Sequence, residues 1–171
     1  MNTPDPVAQM RALVDASGQI EYRVIELPMA ARLGDELSDL MQAAWEETRM
    51  PWLPARCSPD QGLLQVVEQM GGLITLALYS ADDRLVGFAL AHVHRDVFSE
   101  IVMCDGLALH VVDQHRSGNL IRHLLEVLAL AAKTRGATLM QWCAPVGTAL
   151  DQHLSASSCT RQGRAFYAAE I

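Results

Sequence analysis

Leu109-His110-Val111-Val112-Asp113-Gln114-His115-Arg116-Ser117-Gly118-Asn119-Leu120 is the stretch on which the fold of this chain turns. An apolar, β-branched run stops at Val112, a turn of polar and small residues follows, and apolar residues then recur at Leu120, Ile121, Leu124, Leu125, Leu128 and Ala131. That recurrence predicts a helix over 118–136 with Gly136 at its C-terminal cap. A strand that gives way so abruptly to a helix aims free backbone N–H groups and the positive end of the helix dipole at one point. Small side chains at Ser117 and Gly118 let an anion approach, and Arg116 and Arg122 add formal charge, so a diphosphate is the natural occupant. Each dipole contact supplies only ~0.3–1 kcal/mol, so several donors must act together and the ligand's remaining length must supply the rest. An ordinary strand–turn–helix facing water is the competing reading.

Outward from this stretch, strands are expected at 20–27, 73–79, 84–95, 100–112 and 137–144, with a last one near 165–171. Ser80-Ala81-Asp82-Asp83 is the hairpin turn between the second and third. Helical spacing appears over Arg32–Arg49, over Pro59–Met70 and briefly over Thr148–Leu154. The first 19 residues read as an N-terminal extension around a short helical stretch, Val7–Val14, and residues 20–171 as a single domain. Strand, helix and strand over 100–144 imply a parallel crossover, whereas the hairpins before it are antiparallel. The class is therefore α/β, or α+β: a mixed, mostly antiparallel sheet with helices on both faces.

Composition narrows the function. The chain has 171 residues, 50% hydrophobic and 19% charged, enough for a sizeable core. Its net charge of -7, with Lys133 the one lysine, argues against nucleic acid and suits a neutral or cationic partner. No apolar run reaches the ~18 residues of a membrane span. The start, MNTPDPVAQM, lacks a basic segment followed by an apolar one, so no secretory signal is read there. Cys57, Cys104, Cys143 and Cys159 form no CxxC pair and read as free thiols in a reducing, cytoplasmic setting. His92 and His94 share a strand face, with His110 and His115 downstream, but nothing has familiar zinc spacing and no metal is expected. Cys104 sits in an apolar strand with no base beside it, which argues against an acyl-cysteine route.

The decisive stretch resembles the GNAT superfamily of acyl-CoA-dependent N-acyltransferases. The matching residues are Leu109, Val111, His115 and Arg116, then Ser117-Gly118-Asn119, then Leu124-Leu125 in the helix; the hairpin Asp83–Ala89 resembles the family's strand into the acceptor site. Asp113 stands where the family has Pro, Gly118 is the one glycine kept in the loop, and the family's Tyr after the fifth strand is missing from Gly147–Leu154. The resemblance implies acetyl-CoA, or another acyl-CoA, as co-substrate and a small-molecule or peptide amine as acceptor. It places the pantetheine arm along Leu109, His110, Val111 and Val112, and the diphosphate on N–H groups of His115, Arg116, Ser117, Gly118, Asn119 and Leu120. The thioester carbonyl would meet a backbone N–H near Val111.

An amine of pKa ~10.4 must lose a proton before it attacks. Asp105, six residues before Val111, matches the offset of the catalytic glutamate in the superfamily's histone acetyltransferases and is the expected base; its competing reading is a carboxylate capping a β-bulge at Gly106. His153 is nearest the position of the missing Tyr and is the candidate general acid, with Ser155 and Tyr167 as rivals. Trp45, Trp52 and Glu46-Glu47 fall where acceptor-binding elements would lie. Two other functions fit the pattern: a GNAT-fold protein that holds acyl-CoA without turnover, and a ligand-free interaction domain whose apolar surface would suit a homodimer.

Overall fold

The computed structural model describes residues 11–14, 20–27, 35–48, 56, 69, 71–144 and 149–156. Six strands form one sheet in chain order: β1 (Arg11–Val14), β2 (Ile20–Glu26), β3 (Leu73–Ser80), β4 (Leu85–Arg95), β5 (Val102–Val111) and β6 (Leu139–Trp142). Every neighbouring pair is antiparallel except β5 and β6, which are parallel. Among the described residues the sheet is accompanied by the α-helices α1 (Asp35–Thr48), α2 (Gly118–Thr134) and α3 (Ala149–Ala156), with a 3-10 turn at Asp113–His115. The mixed sheet and the crossover through α2 are as the sequence implies. Arg11–Val14 is not helical as expected; it pairs with β2 as an edge strand. Four residues are too short for a stable helix of their own, whereas strand pairing satisfies their backbone at once. The helix expected over Pro59–Met70 and the strand near 165–171 lie outside the described residues.

Alternation along the strands sorts the core into two layers. Ile74, Leu76 and Leu78 of β3, Ala89, Ala91 and Val93 of β4, and Cys104 and Val111 of β5 point to one face. There they meet Leu120, Leu124, Val127, Leu128, Ala131 and Ala132, the apolar stripe of α2. Leu73, Phe88 and Leu90 point the other way, onto Leu37, Leu40, Met41 and Ala44 of α1. The helices are thus held on opposite faces by successive side chains of the same strands.

The β3–β4 turn closes with Asp83 in the left-handed conformation at φ 61°, its N–H donating to the Ser80 carbonyl at 3.1 Å. Arg23 pairs with the Asp83 carboxylate. At the far end of α2, Gly136 takes φ 87° and Ala137 N–H returns to the Ala132 carbonyl at 3.1 Å, which ends the helix where the sequence places the stop.

Candidate active site

Two irregularities in β5 create the site. Pairing with β6 runs from Met103↔Leu139 to Gly106↔Trp142, while β5 itself continues to Val111. β6 ends at Trp142, so beyond Gly106 one edge of Leu107–Val111 has no strand partner among the described residues. The second irregularity is a bulge: Leu90 pairs with Ala108 and Ala91 with Gly106, so Leu107 is the extra residue. It resets the side-chain alternation. Cys104 lies in the α2 layer and Asp105 on the α1 face; after the bulge Ala108 packs on the α1 face and Leu109 and Val111 on the α2 face.

Gly106 borders the bulge, paired with Ala91 just before the extra residue. A Cβ there would lie 2.2 Å from the Trp142 ring, so the glycine is what lets β6 lay its indole across β5 where their pairing ends. Val112 N–H donates to the Val86 carbonyl at 2.9 Å, and alternation then turns the N–H groups of Leu109 and Val111 away from β4, toward the open edge. Leu109 is half-buried and Val111 buried.

The turn into α2 uses up part of its own polar capacity. His115 N–H donates to the Val112 carbonyl (2.9 Å), Arg116 N–H to the Asp113 carbonyl (3.2 Å), and Leu120 N–H to the Ser117 hydroxyl that caps the helix (3.2 Å). The fan of donors expected from His115 to Leu120 is thereby narrowed. Ser117, Gly118 and Asn119 keep N–H groups with no backbone acceptor among the described residues. A Cβ at Gly118 would meet nothing within 4 Å, so solvent or a ligand, and no packed side chain, occupies the space before it. Beside the turn lies an open cleft of about 490 Å³. It is lined by Tyr22 of β2, by His115, Ser117 and Asn119, and by Arg122 and Glu126 of α2.

The side chains of this turn differ from the sequence reading. Arg116 does not stand free to neutralise an anion. Its two terminal nitrogens donate to the two carboxylate oxygens of Glu47 in α1, at 2.9 and 2.8 Å, and its Nε donates to the Val111 carbonyl at 3.1 Å. His110 turns its ring to the α1 face, buried, with Nδ1 3.2 Å from the same Glu47 carboxylate; burial holds its pKa below the usual imidazole value despite the acid. His115 lies edge-on to Tyr22, whose hydroxyl is 3.1 Å from His115 Nδ1. Arg122 donates to the Asn119 side-chain carbonyl at 3.1 Å.

On the α1 face Asp105 meets a partner that spacing along one strand cannot reveal. Its Oδ2 lies 2.8 Å from Nε2 of His94 on β4, both side chains about 30% exposed, and its Oδ1 is buried with no hydrogen-bond partner among the described residues. His92, directly opposite Asp105 in the register, stacks on His94 with ring centroids 5.2 Å apart. The Asp105 hydrogen bond raises the pKa of His94, whereas burial lowers that of His92. Cys104, next in sequence, is fully buried on the opposite face, and its thiol is pushed up to about 11, chiefly by burial. A thiol so held is a poor nucleophile at neutral pH. His153 lies in α3 and its side chain is outside the described residues, as is Tyr167. Ser155 donates to Asp151 at 3.5 Å. Among the described residues no group of His, Cys, Asp and Glu could hold a metal ion, and no helix is long and apolar enough to cross a membrane.

A family model described as an acetyltransferase (GNAT) domain matches residues 7–103. None of the curated proteins matches the chain. Among solved structures, a ribosomal-protein-alanine N-acetyltransferase from Brucella melitensis biovar Abortus 2308 has a similar fold, with TM-score 0.64 and 16% identity over 88% of this chain and 99% of that one. The aminoglycoside acetyltransferase meta-AAC0020 from an uncultured soil metagenomic sample, in complex with sisomicin, gives TM-score 0.64 and 17% identity over 88% and 97%. AAC(6')-Iy in complex with the bisubstrate analogue CoA-S-monomethyl-acetylneamine gives TM-score 0.64 and 13% identity over 88% and 98%.

Proposed function

The chain belongs to the GNAT acetyltransferase family, and from that premise we propose that it moves an acetyl or similarly short acyl group from its CoA thioester to an amine by direct attack in a ternary complex. The observation that carries this reading is the edge of β5 left without a strand partner after Gly106, beside the open start of α2. An unpaired strand edge running into free helix N–H groups fits a ligand that has peptide-like amides at one end and a diphosphate at the other.

In this reading acetyl-CoA, when bound, supplies the activated acyl group. The edge of Leu109 and Val111 binds the pantetheine amides as an added strand would, with His110 between them holding the strand to β4. The N–H of Val111 polarises the thioester carbonyl, where charge develops as the amine adds. Ser117, Gly118 and Asn119 hold the diphosphate through their N–H groups. His115 and Leu120 shape the turn, and Arg116 fixes it to α1. Asp105 takes the proton from the cationic amine. His153 is the proposed general acid, but a thiol of pKa ~8.5 departs tolerably without one.

The acceptor is proposed to be a small-molecule or peptide amine. The net charge of -7 favours a cationic one. The neighbours with sisomicin and with a neamine-derived analogue make aminoglycosides a sensible first panel, beside polyamines and N-terminal peptides. Calorimetric titration with acetyl-CoA, then thiol release across that panel, tests the reading. Heat on titration with no turnover on any amine would leave a non-catalytic acyl-CoA-binding protein. No heat at all would remove the site. For Asp105→Asn we expect unchanged CoA affinity and a loss of turnover of about 10²-fold or more, the usual yield of a positioned base.

A further inference from the structure

We infer that His94 and Asp105 act as one proton-binding unit, in which His94 is the positioning residue that fixes Asp105 and shares the proton drawn from the acceptor amine. The inference rests on the amine-transfer reading above and adds to it a residue from a different strand.

The geometry fixes the chemistry of the pair. His94 Nε2 faces Asp105 Oδ2 at 2.8 Å, and its other nitrogen, Nδ1, lies 3.2 Å from the Arg95 carbonyl. Both ring nitrogens therefore face acceptors. A neutral imidazole has one N–H, so it satisfies one of the two and sets a lone pair against the other. If Nδ1 keeps its hydrogen, the Nε2 lone pair and an ionised carboxylate oxygen stand 2.8 Å apart. One added proton between them removes that repulsion and completes both hydrogen bonds. His94 thus holds a proton more tightly than a free imidazole does, because Asp105 accepts from it.

The groups around it set the balance. His92 stacks on His94 from the same strand and opposes a second positive charge; Asp96, two residues on, favours one; Asp105 on β5 is the largest influence. Glu47, the acid that α1 sends to this sheet face, is committed to Arg116 and His110. A base whose proton affinity lies nearer neutrality than a bare aspartate is better matched to an amine. In the step itself an N–H bond of the ammonium breaks, its electron pair stays on nitrogen as the nucleophile, and the proton passes to the pair. It leaves to solvent before the next turnover. The pair is ready only when unprotonated, so kcat/KM rises with pH through its titration.

The test is the pH profile of thiol release by the full chain and by two variants, together with NMR titration of the His94 ring. In the intact protein the acid limb of kcat/KM should coincide with the His94 titration, above the ordinary imidazole value of ~6.5. His94→Gln should bind CoA as before, lose turnover, and carry its acid limb lower by about one pH unit or more, toward a lone carboxylate. Asp105→Asn should drop the His94 titration toward ~6.5. If the acid limb does not track His94 in the intact protein, or His94→Gln keeps the intact profile while Asp105→Asn is inactive, the shared-proton unit is wrong and Asp105 acts alone. Full turnover by Asp105→Asn would instead overturn the role given to Asp105 itself.

Discussion

Glu47 grips both terminal nitrogens of Arg116, tying the end of α1 to the turn that opens α2. The contact joins the two faces of the sheet around the tip of β5, because Arg116 Nε also donates to the Val111 carbonyl. Arg116 is therefore a strut of the turn, and its charge is matched inside the protein.

Removing the fork should loosen this joint. Charged hydrogen bonds of this kind contribute about 1.5–3 kcal/mol when well shielded. With both side chains partly exposed, solvent screening lowers the expectation, and we predict about 1 kcal/mol for Glu47→Gln in urea unfolding. The loss should shrink in high salt. A stability equal to the parent's at low salt would show that the fork contributes nothing.

Gly118→Val separates binding from folding. The space before Gly118 is open and its backbone lies outside the left-handed region, so an added side chain meets no protein atom. The melting temperature should stay within a few degrees of the parent's, while calorimetry with CoA should show affinity reduced beyond detection. Retained affinity would move the diphosphate elsewhere.

Ser117→Ala removes the hydroxyl that accepts from Leu120 N–H. An N-cap of this kind stabilises by about 0.5–2 kcal/mol, so the variant should unfold at lower urea with an unchanged slope. Gly at the same position should recover most of the difference.

Gly106→Ala puts a methyl group into the Trp142 ring. Either the indole or the strand must shift, at a cost of about 1–3 kcal/mol. Loss of CoA affinity should accompany it, because Trp142 sits where the pairing of β5 and β6 ends. Tryptophan fluorescence identical to the parent's would contradict this packing.

His110 and His94, both on the α1 face, should act oppositely on stability. His110, buried beside Glu47, has a lowered pKa, so the unfolded chain binds its proton more readily. Its contribution is present above ~6.5 and is lost as pH falls toward the folded value. His94 has a raised pKa, so its contribution is present below ~6.5 and is lost as pH rises through the folded value. Replacing His110 with Gln should flatten the acid side of the stability curve, and replacing His94 with Gln the neutral side; the reverse assignment would refute both environments.

The sequence by itself determined the elements and their order where the pattern is local. The stripe of α2, its stop at Gly136, the β3–β4 hairpin and the crossover from β5 to β6 all follow from periodicity and turn chemistry, which act over a few residues. The turn before Gly118 was legible for the same reason. Tertiary structure alone decided which way the functional side chains point and whom they meet. Arg116 reads as a free cation until α1, far away in the chain, delivers Glu47 to it. Asp105 reads as a lone carboxylate until β4–β5 pairing brings His94, diagonal to it on the same face, within 2.8 Å, and the bulge at Leu107 fixes which face the strand presents on either side. Arg11–Val14 becomes a strand only because β2 offers an edge. Patterns of hydrophobicity record burial, which each residue senses on its own strand or helix; charge partners depend on register and on packing between distant segments, and no local pattern encodes those.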